Sequence, residues 1–260
     1  MSQADELLHA GDLAGARAAL IEQVRANPAD EQVRMFLFQL FALLGDWNRA
    51  KAQLETLAKL SPEMRMLSVA YGQCLDAEAE RAAVMAGAQP ASFYQDYDWT
   101  PALAEAIRLG GLGEAGAEAR RDAAFDAAPA TPGTADGAAF DWIADADMRF
   151  GPTIEAIIGG RYALMPFAAL ESIEISPAQD LRDTIWAQAQ FALREGPQLA
   201  GFIPVRYPGS EAADEAELVR GLTTDWRAGP AGETGLGHRI LTTSEGADLP
   251  LLSVRSLSFG

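Results

Sequence analysis

Asp145 and Asp147 are the residues whose types and spacing best suit chemistry. At i and i+2 on an extended segment both carboxylates share one face. With Asp141 close in sequence, such a pair could hold Mg²⁺ or Ca²⁺. No glycine-rich calcium loop surrounds them, so the reading favours ion pairs with Arg149 or Arg161, or caps on local backbone amides. Arg182 and Arg206 are further candidates for buried pairs with Asp183, Asp145 or Asp147. His9 and His238 are the two histidines. His238 follows Gly235-Leu236-Gly237 and would need a nucleophile and an orienting carboxylate to act as a base. Ser210, in Pro208-Gly209-Ser210-Glu211, lacks the Gly-x-Ser-x-Gly elbow of a serine hydrolase. Cys74 beside Leu75 reads as a small buried hydrophobe, and a single cysteine precludes an internal disulfide, which agrees with a reducing compartment. The expectation is therefore no catalytic residue, no metal ligand and no cofactor. A hydrolase or metal-dependent activity centred on Asp145, Asp147 and His238 is kept as a rival reading, as is a self-assembling scaffold.

The elements around these residues point elsewhere. Gly11-Asp12-Leu13-Ala14-Gly15-Ala16-Arg17-Ala18-Ala19-Leu20, running on to Asn27-Pro28, is matched by Gly45-Asp46-Trp47-Asn48-Arg49-Ala50-Lys51-Ala52-Gln53-Leu54, running on to Ser61-Pro62. The offset is that of the tetratricopeptide repeat, a helix–turn–helix unit more often a binding scaffold than an enzyme. Helices are expected over 4–10, 13–26, 30–44, 47–60 and from a Ser61 cap to Met85, the last without the mid-repeat turn the period calls for near Ala79. Two more follow, 102–109 broken by Gly110-Gly111, and 114–127. In the well-formed unit the groove-facing positions are Gln32, Met35, Gln39, Ala42 and Leu43. Methionine and leucine among polar residues suit a partner helix. Phe38 stands where such a repeat usually has a small residue, and its bulk should fill the groove or splay the helix pair. That favours a helix lying on a wider apolar face over an extended peptide.

Residues 129–139 carry prolines and glycines without large apolar side chains and read as a linker. Beyond them the periodicity shifts toward two. Ile154, Ala156 and Ile158, then Gly159-Gly160, then Tyr162, Leu164 and Pro166 predict a hairpin. Further strands are expected at 172–175, 190–193, 199–206, 237–243 and 251–257, with a small helix near 213–220. Trp142, Phe150, Tyr162, Phe167, Trp186 and Phe202 are expected in the core. The fold class is α+β: a tetratricopeptide-like helical domain over 1–128, a linker, and a mainly antiparallel α+β domain over 140–260.

A hydrophobic content of 49% with 22% charged residues is that of a soluble globular chain. The formal charge of −17 is spread over both halves. It argues against nucleic acid, whose phosphates need a basic surface, and against an anionic membrane, while it would steer a basic partner. The acidic start Met1-Ser2-Gln3-Ala4-Asp5-Glu6 is unlike a signal peptide, and the expectation is a cytoplasmic protein.

The second half carries six strings in order: Trp142-Ile143-Ala144-Asp145-Ala146-Asp147; Arg149-Phe150-Gly151-Pro152; Gly160-Arg161-Tyr162 with Pro166-Phe167; Leu181-Arg182-Asp183 with Trp186; Ile203-Pro204-Val205-Arg206-Tyr207-Pro208-Gly209-Ser210; and the closing stretch Leu251 to Phe259. Together they resemble the ImpE family of type VI secretion accessory proteins, over essentially the whole chain. The resemblance implies an interaction role with no assigned catalytic residues: association with the N-terminal helix of the small contractile-sheath subunit, and a link from the sheath to the ATPase that disassembles it.

Overall fold

Five side-chain caps start the helical half. In the structure, a computed structural model that describes residues 2–230 and 232–260, Ser2, Asp12, Asp30, Asp46 and Ser61 each accept a backbone N–H from three residues on. Such caps satisfy amides that a helix start leaves open, at about 1 kcal/mol each. They set α1 (Gln3–His9), α2 (Leu13–Ala26), α3 (Glu31–Leu43), α4 (Trp47–Leu60) and α5 (Pro62–Met85). Gly11 and Gly45, equivalent in the repeat, both take left-handed φ values of 81° and 69°. Only glycine adopts these freely, and the chain reverses there before the next aspartate cap. α5 runs unbroken for 24 residues, so the third unit lacks its turn as expected.

α6 (Thr100–Leu112) corrects the sequence reading. It passes through Gly110-Gly111 and ends at Gly113, and Trp99 rather than Thr100 occupies its cap position. Gly111 is there for tertiary approach: a Cβ on it would run into the Met85 carbonyl oxygen and the Gly87 amide at the end of α5. α7 (Ala117–Ala127) begins three residues later than expected.

The second half is built from β1 (Gly133–Ala135), β2 (Ala138–Phe140), β3 (Ile143–Asp145), β4 (Thr153–Ile158), β5 (Arg161–Pro166), β6 (Leu170–Ile175), β7 (Trp186–Leu193), β8 (Gln198–Pro204), α8 (Ala216–Val219), β9 (Thr224–Gly229), β10 (Gly232–Gly237), β11 (Ile240–Thr243), β12 (Asp248–Pro250) and β13 (Ser256–Phe259). Eight strands form one sheet in the order β2-β1-β13-β6-β7-β8-β4-β5, and its pairings are antiparallel. A three-stranded sheet β12-β11-β3 and the β9–β10 ribbon complete it.

Three expectations fail here for identifiable reasons. The stretch read as a linker holds the β1–β2 hairpin, turned by Asp136-Gly137 with positive φ at both residues, and β1 pairs with β13. The strand expected over 237–243 is split: β10 ends at Gly237 and β11 begins at Ile240. Leu251–Ser253 is a 3₁₀ turn, and the closing strand starts only at Ser256.

The β4–β5 hairpin is where the alternation expected of a half-exposed strand gives way. Residues 153–157 and 162–166 are all buried, whichever way they point. α5 packs against β5, so the helical half covers what would otherwise be the wet face. One hydrophobic core accordingly runs through both halves, from Leu20, Leu40 and Leu54 through Tyr71 to Ile157, Tyr162, Trp186 and Tyr207. A second core, around Ile154, Phe167, Ile173, Phe191 and Leu257, lies within the sheet half. Of the aromatics expected inside, Phe202 is half-buried and Trp142 is 41% exposed at the surface.

Candidate partner-binding site

The face of α3 picked out by the repeat is largely taken by the chain itself. Ala42 and Leu43 have no accessible surface and Gln39 is buried. The 3₁₀ turn Leu181–Thr184 packs on α3. Arg182 brings Nη1 to 3.9 Å from the Met35 sulfur and sets its guanidinium over the Tyr71 ring, 5.1 Å from the centroid. Arg206 donates from Nη1 to the Leu43 carbonyl at 2.8 Å. Of the five groove positions, Gln32 remains exposed and Met35 half-exposed; Gln39 lines a surface cleft together with Asp180, Leu181 and Thr184. Phe38 is fully buried with its ring edge-on to Tyr71, so it fills the groove from within.

One repeat further, the same positions fall on Met66, Val69, Gln73, Asp76 and Ala77 of α5. Here Ala77 is buried and Asp76 pairs with Lys51 at 2.6 Å, but the N-terminal part of the face is bare. Met66 is 84% and Val69 63% exposed, and Gln73 and Asp76 are exposed too. Beside them Ala70 and Gln73 form one wall of a cleft of about 290 Å³, whose other walls include the Gly159-Gly160 turn, Gln188, Gln190 and Phe202.

The carboxylates that could have held a metal are built into a charged seam between the halves. Asp145 Oδ1 accepts from the Tyr207 hydroxyl at 2.9 Å and the Asp147 N–H at 3.0 Å, and Oδ2 pairs with Arg239. Asp147 pairs with Arg149 at 2.5 Å and accepts the Gly235 N–H at 2.7 Å. Glu155 accepts from Arg81 Nε and Nη2, both at 2.7 Å, from the Tyr162 hydroxyl at 2.6 Å and from Arg239. Glu78 takes the Trp186 indole N–H at 2.8 Å and faces Arg81. The Arg239 guanidinium lies 5.0 Å from the ring centroids of both Phe150 and Tyr207, which are themselves stacked within 5° of parallel. A buried charge persists only when paired and hydrogen-bonded, and these are both. Burial alone would raise the Glu155 carboxyl, but Arg81 and Arg239 hold it at about 2. Burial pushes Asp145 up to about 6, with Arg239 opposing and Asp147 adding to the rise.

The Asp147–Arg149 pair was expected; Arg239, Glu155, Arg81 and Glu78 were not. Glu155 had a readable signal, a lone charge in the apolar run Thr153 to Ile158, since such a carboxylate must find a partner. Arg206 meets carbonyl oxygens, Leu43 and Val219, rather than an expected carboxylate, and burial lowers it to about 10. Arg182 pairs with Asp180 at 3.1 Å.

The remaining candidates are likewise engaged. His238 Nδ1 lies 2.7 Å from the Gly221 carbonyl and Nε2 accepts the Leu252 N–H at 3.3 Å, which fixes a neutral tautomer with the proton on Nδ1. Ser210 donates to the Tyr207 carbonyl at 2.6 Å and accepts from the Gly237 N–H at 2.8 Å. Burial pushes the Cys74 thiol up, away from the reactive thiolate. Among the described residues no cluster of three or more His, Cys, Asp or Glu side chains is arranged to hold a metal, and no helix is long and apolar enough to cross a membrane.

Comparison with known proteins adds three findings. A family model described as ImpE protein matches residues 137–258. The type VI secretion system accessory component TagJ of Pseudomonas aeruginosa is 40% identical, over 98% of this chain and 90% of its own length. The crystal structure of protein VPA1032 from Vibrio parahaemolyticus superposes with a TM-score of 0.87 at 22% identity, covering 100% of this chain and 98% of that one, and so has the same fold.

Proposed function

The chain belongs to the ImpE family, and on that premise we propose that it is a non-enzymatic accessory component of a type VI secretion system, which binds the small contractile-sheath subunit through its helical half. The supporting observation is the 40% identity to TagJ over nearly the whole chain, helical half included. The partner element is the N-terminal helix of that sheath subunit, and the bound protein brings the sheath to the disassembly ATPase in the cytoplasm. A net charge of −17 favours a basic partner surface. The seam supports the non-enzymatic part of the reading: its carboxylate oxygens are already occupied by arginines, hydroxyls and backbone amides, so they serve the fold.

Calorimetric titration of the full chain with a peptide of the cognate sheath helix tests the proposal. Saturable binding with a negative heat-capacity change, the mark of buried apolar surface, is the expected result. Absence of heat at two well-separated temperatures, with a folded protein in the cell, would end the sheath assignment. The full chain is required, because β1 and the α5 residues Glu78 and Arg81 are integral to the sheet half.

A further inference from the structure

The partner-facing positions of the helical repeat recur on α3 and α5, and the two copies differ in what lies on them. On α3 the positions Met35, Gln39, Ala42 and Leu43 meet the chain's own Leu181–Thr184 turn and Arg206. On α5 the equivalent Met66 and Val69 are the most exposed of the large apolar side chains among the described residues, and Gln73 stands against the Gly159-Gly160 turn. We infer that the N-terminal half of α5, with the cleft beside Gln73, is a docking surface for a cationic amphipathic helix of another protein. This rests on the adaptor reading above and moves its site from α3 to α5.

The occupant follows from three observations. Met66, Val69 and Gln73 lie at i, i+3 and i+7, one straight stripe on a helix, and a stripe of that kind packs best against a second helix laid along it. The alternative for a repeat, an extended peptide threaded between successive helices, has no room, because Phe38 fills that space against Tyr71. The basic character is shown by the internal ligand already in place: on the neighbouring unit the chain seats an arginine, Arg182, between the Met35 sulfur and the Tyr71 ring. Glu63 is exposed beside the α5 stripe and the chain as a whole is acidic, so a lysine or arginine at the edge of the incoming helix meets the matching charge. Its apolar residues would cover Met66 and Val69, and a polar side chain would enter the cleft toward Gln73, Gln188 and Gln190.

Photocrosslinking in cells making the cognate secretion system decides this. The photoreactive residue p-benzoylphenylalanine is placed in the full chain at position 66, 69 or 32, and the crosslinked peptides are identified by mass spectrometry. Crosslinks from 66 and 69 to a basic amphipathic helix of the small sheath subunit uphold both the surface and the adaptor reading. Crosslinks from 66 and 69 to such a helix in a different protein uphold the surface and remove the sheath assignment. Crosslinks from 32 alone, from none of the three, to an extended segment, or to a second copy of this chain overturn the surface; calorimetry then judges the sheath assignment separately. A Met66→Asp, Val69→Asp double variant, titrated with the sheath-helix peptide, should bind at least tenfold more weakly with an unchanged melting temperature. Wild-type affinity in that variant would also overturn the inference.

Discussion

The two ends of α5 invert the usual partition of side chains in opposite ways. Its C-terminal half buries charge: Glu78 and Arg81 are 6% and 5% exposed and reach Glu155 and Trp186 across the seam. Its N-terminal half leaves apolar side chains in water, with Met66 and Val69 mostly exposed. Charged residues are seldom buried unless paired, while contiguous exposed apolar groups mark contact sites. One helix thus serves two interfaces. The charged end meets partners supplied by this chain and is costly to disturb; at the other end Met64, Leu67 and Tyr71 face the core, while the Met66 and Val69 stripe contributes little to the fold and is free to serve another protein.

The contrast is most exposed to failure at Arg81. Arg81→Met leaves Glu78 and Glu155 buried with fewer counter-charges, and removing one partner of a buried pair costs about 3–5 kcal/mol. Chemical denaturation should show that loss or a protein that fails to fold; a loss under about 1 kcal/mol would mean the seam is not what joins the halves. The next effect is in pH. Glu155 is held at about 2 against an ordinary 4.5, a depressed acid, so its stabilising contribution is present above 4.5 and is lost as pH falls through about 2. The difference corresponds to roughly 3 kcal/mol. The Glu155 carboxyl carbon, followed by NMR, should titrate near 2, and titration at the ordinary value would break the argument that both arginines act on it. The smallest effect belongs to the apolar end: Met66→Ser and Val69→Ser should each change stability by about 0.5 kcal/mol or less. A loss above about 2 kcal/mol in thermal melts would show that these side chains pack inside the fold.

The sequence was most legible where local chemistry decides. α2, α4 and α5 lie where the repeat, its closing prolines and the Ser61 cap placed them, and the β4–β5 hairpin turns at Gly159-Gly160 as its pattern indicates. Legibility fell where a residue's reason lies across the molecule. Gly111 looked like a helix breaker because the Met85 carbonyl it accommodates is 26 positions away. The seam joins residues 74 and 94 positions apart, Arg81 to Glu155 and Arg239 to Asp145, and no spacing rule connects them. Asp136-Gly137 did carry a hairpin signal, masked by the proline- and glycine-rich stretch around it. For the expected groove, the repeat put Met35, Gln39, Ala42 and Leu43 on α3 but carried no sign that the Leu181–Thr184 turn packs there. Which unit is open depends on where Leu181–Thr184 folds back.

β13 sits between β1 and β6 in the large sheet although it is the latest of the strands in sequence. During synthesis, β1 and β2 emerge long before it and have no neighbour on their inner side. β6 through β8, with β4 and β5, can assemble as a separate block. The two parts become one sheet only when β13 arrives and its backbone bridges Ala135 on one flank and Ile173 on the other, both through Leu257. Until then two strand edges stand open, the kind of surface that invites mispairing between nascent chains. Closure of this sheet therefore waits on the emergence of β13 rather than on the early-formed helices.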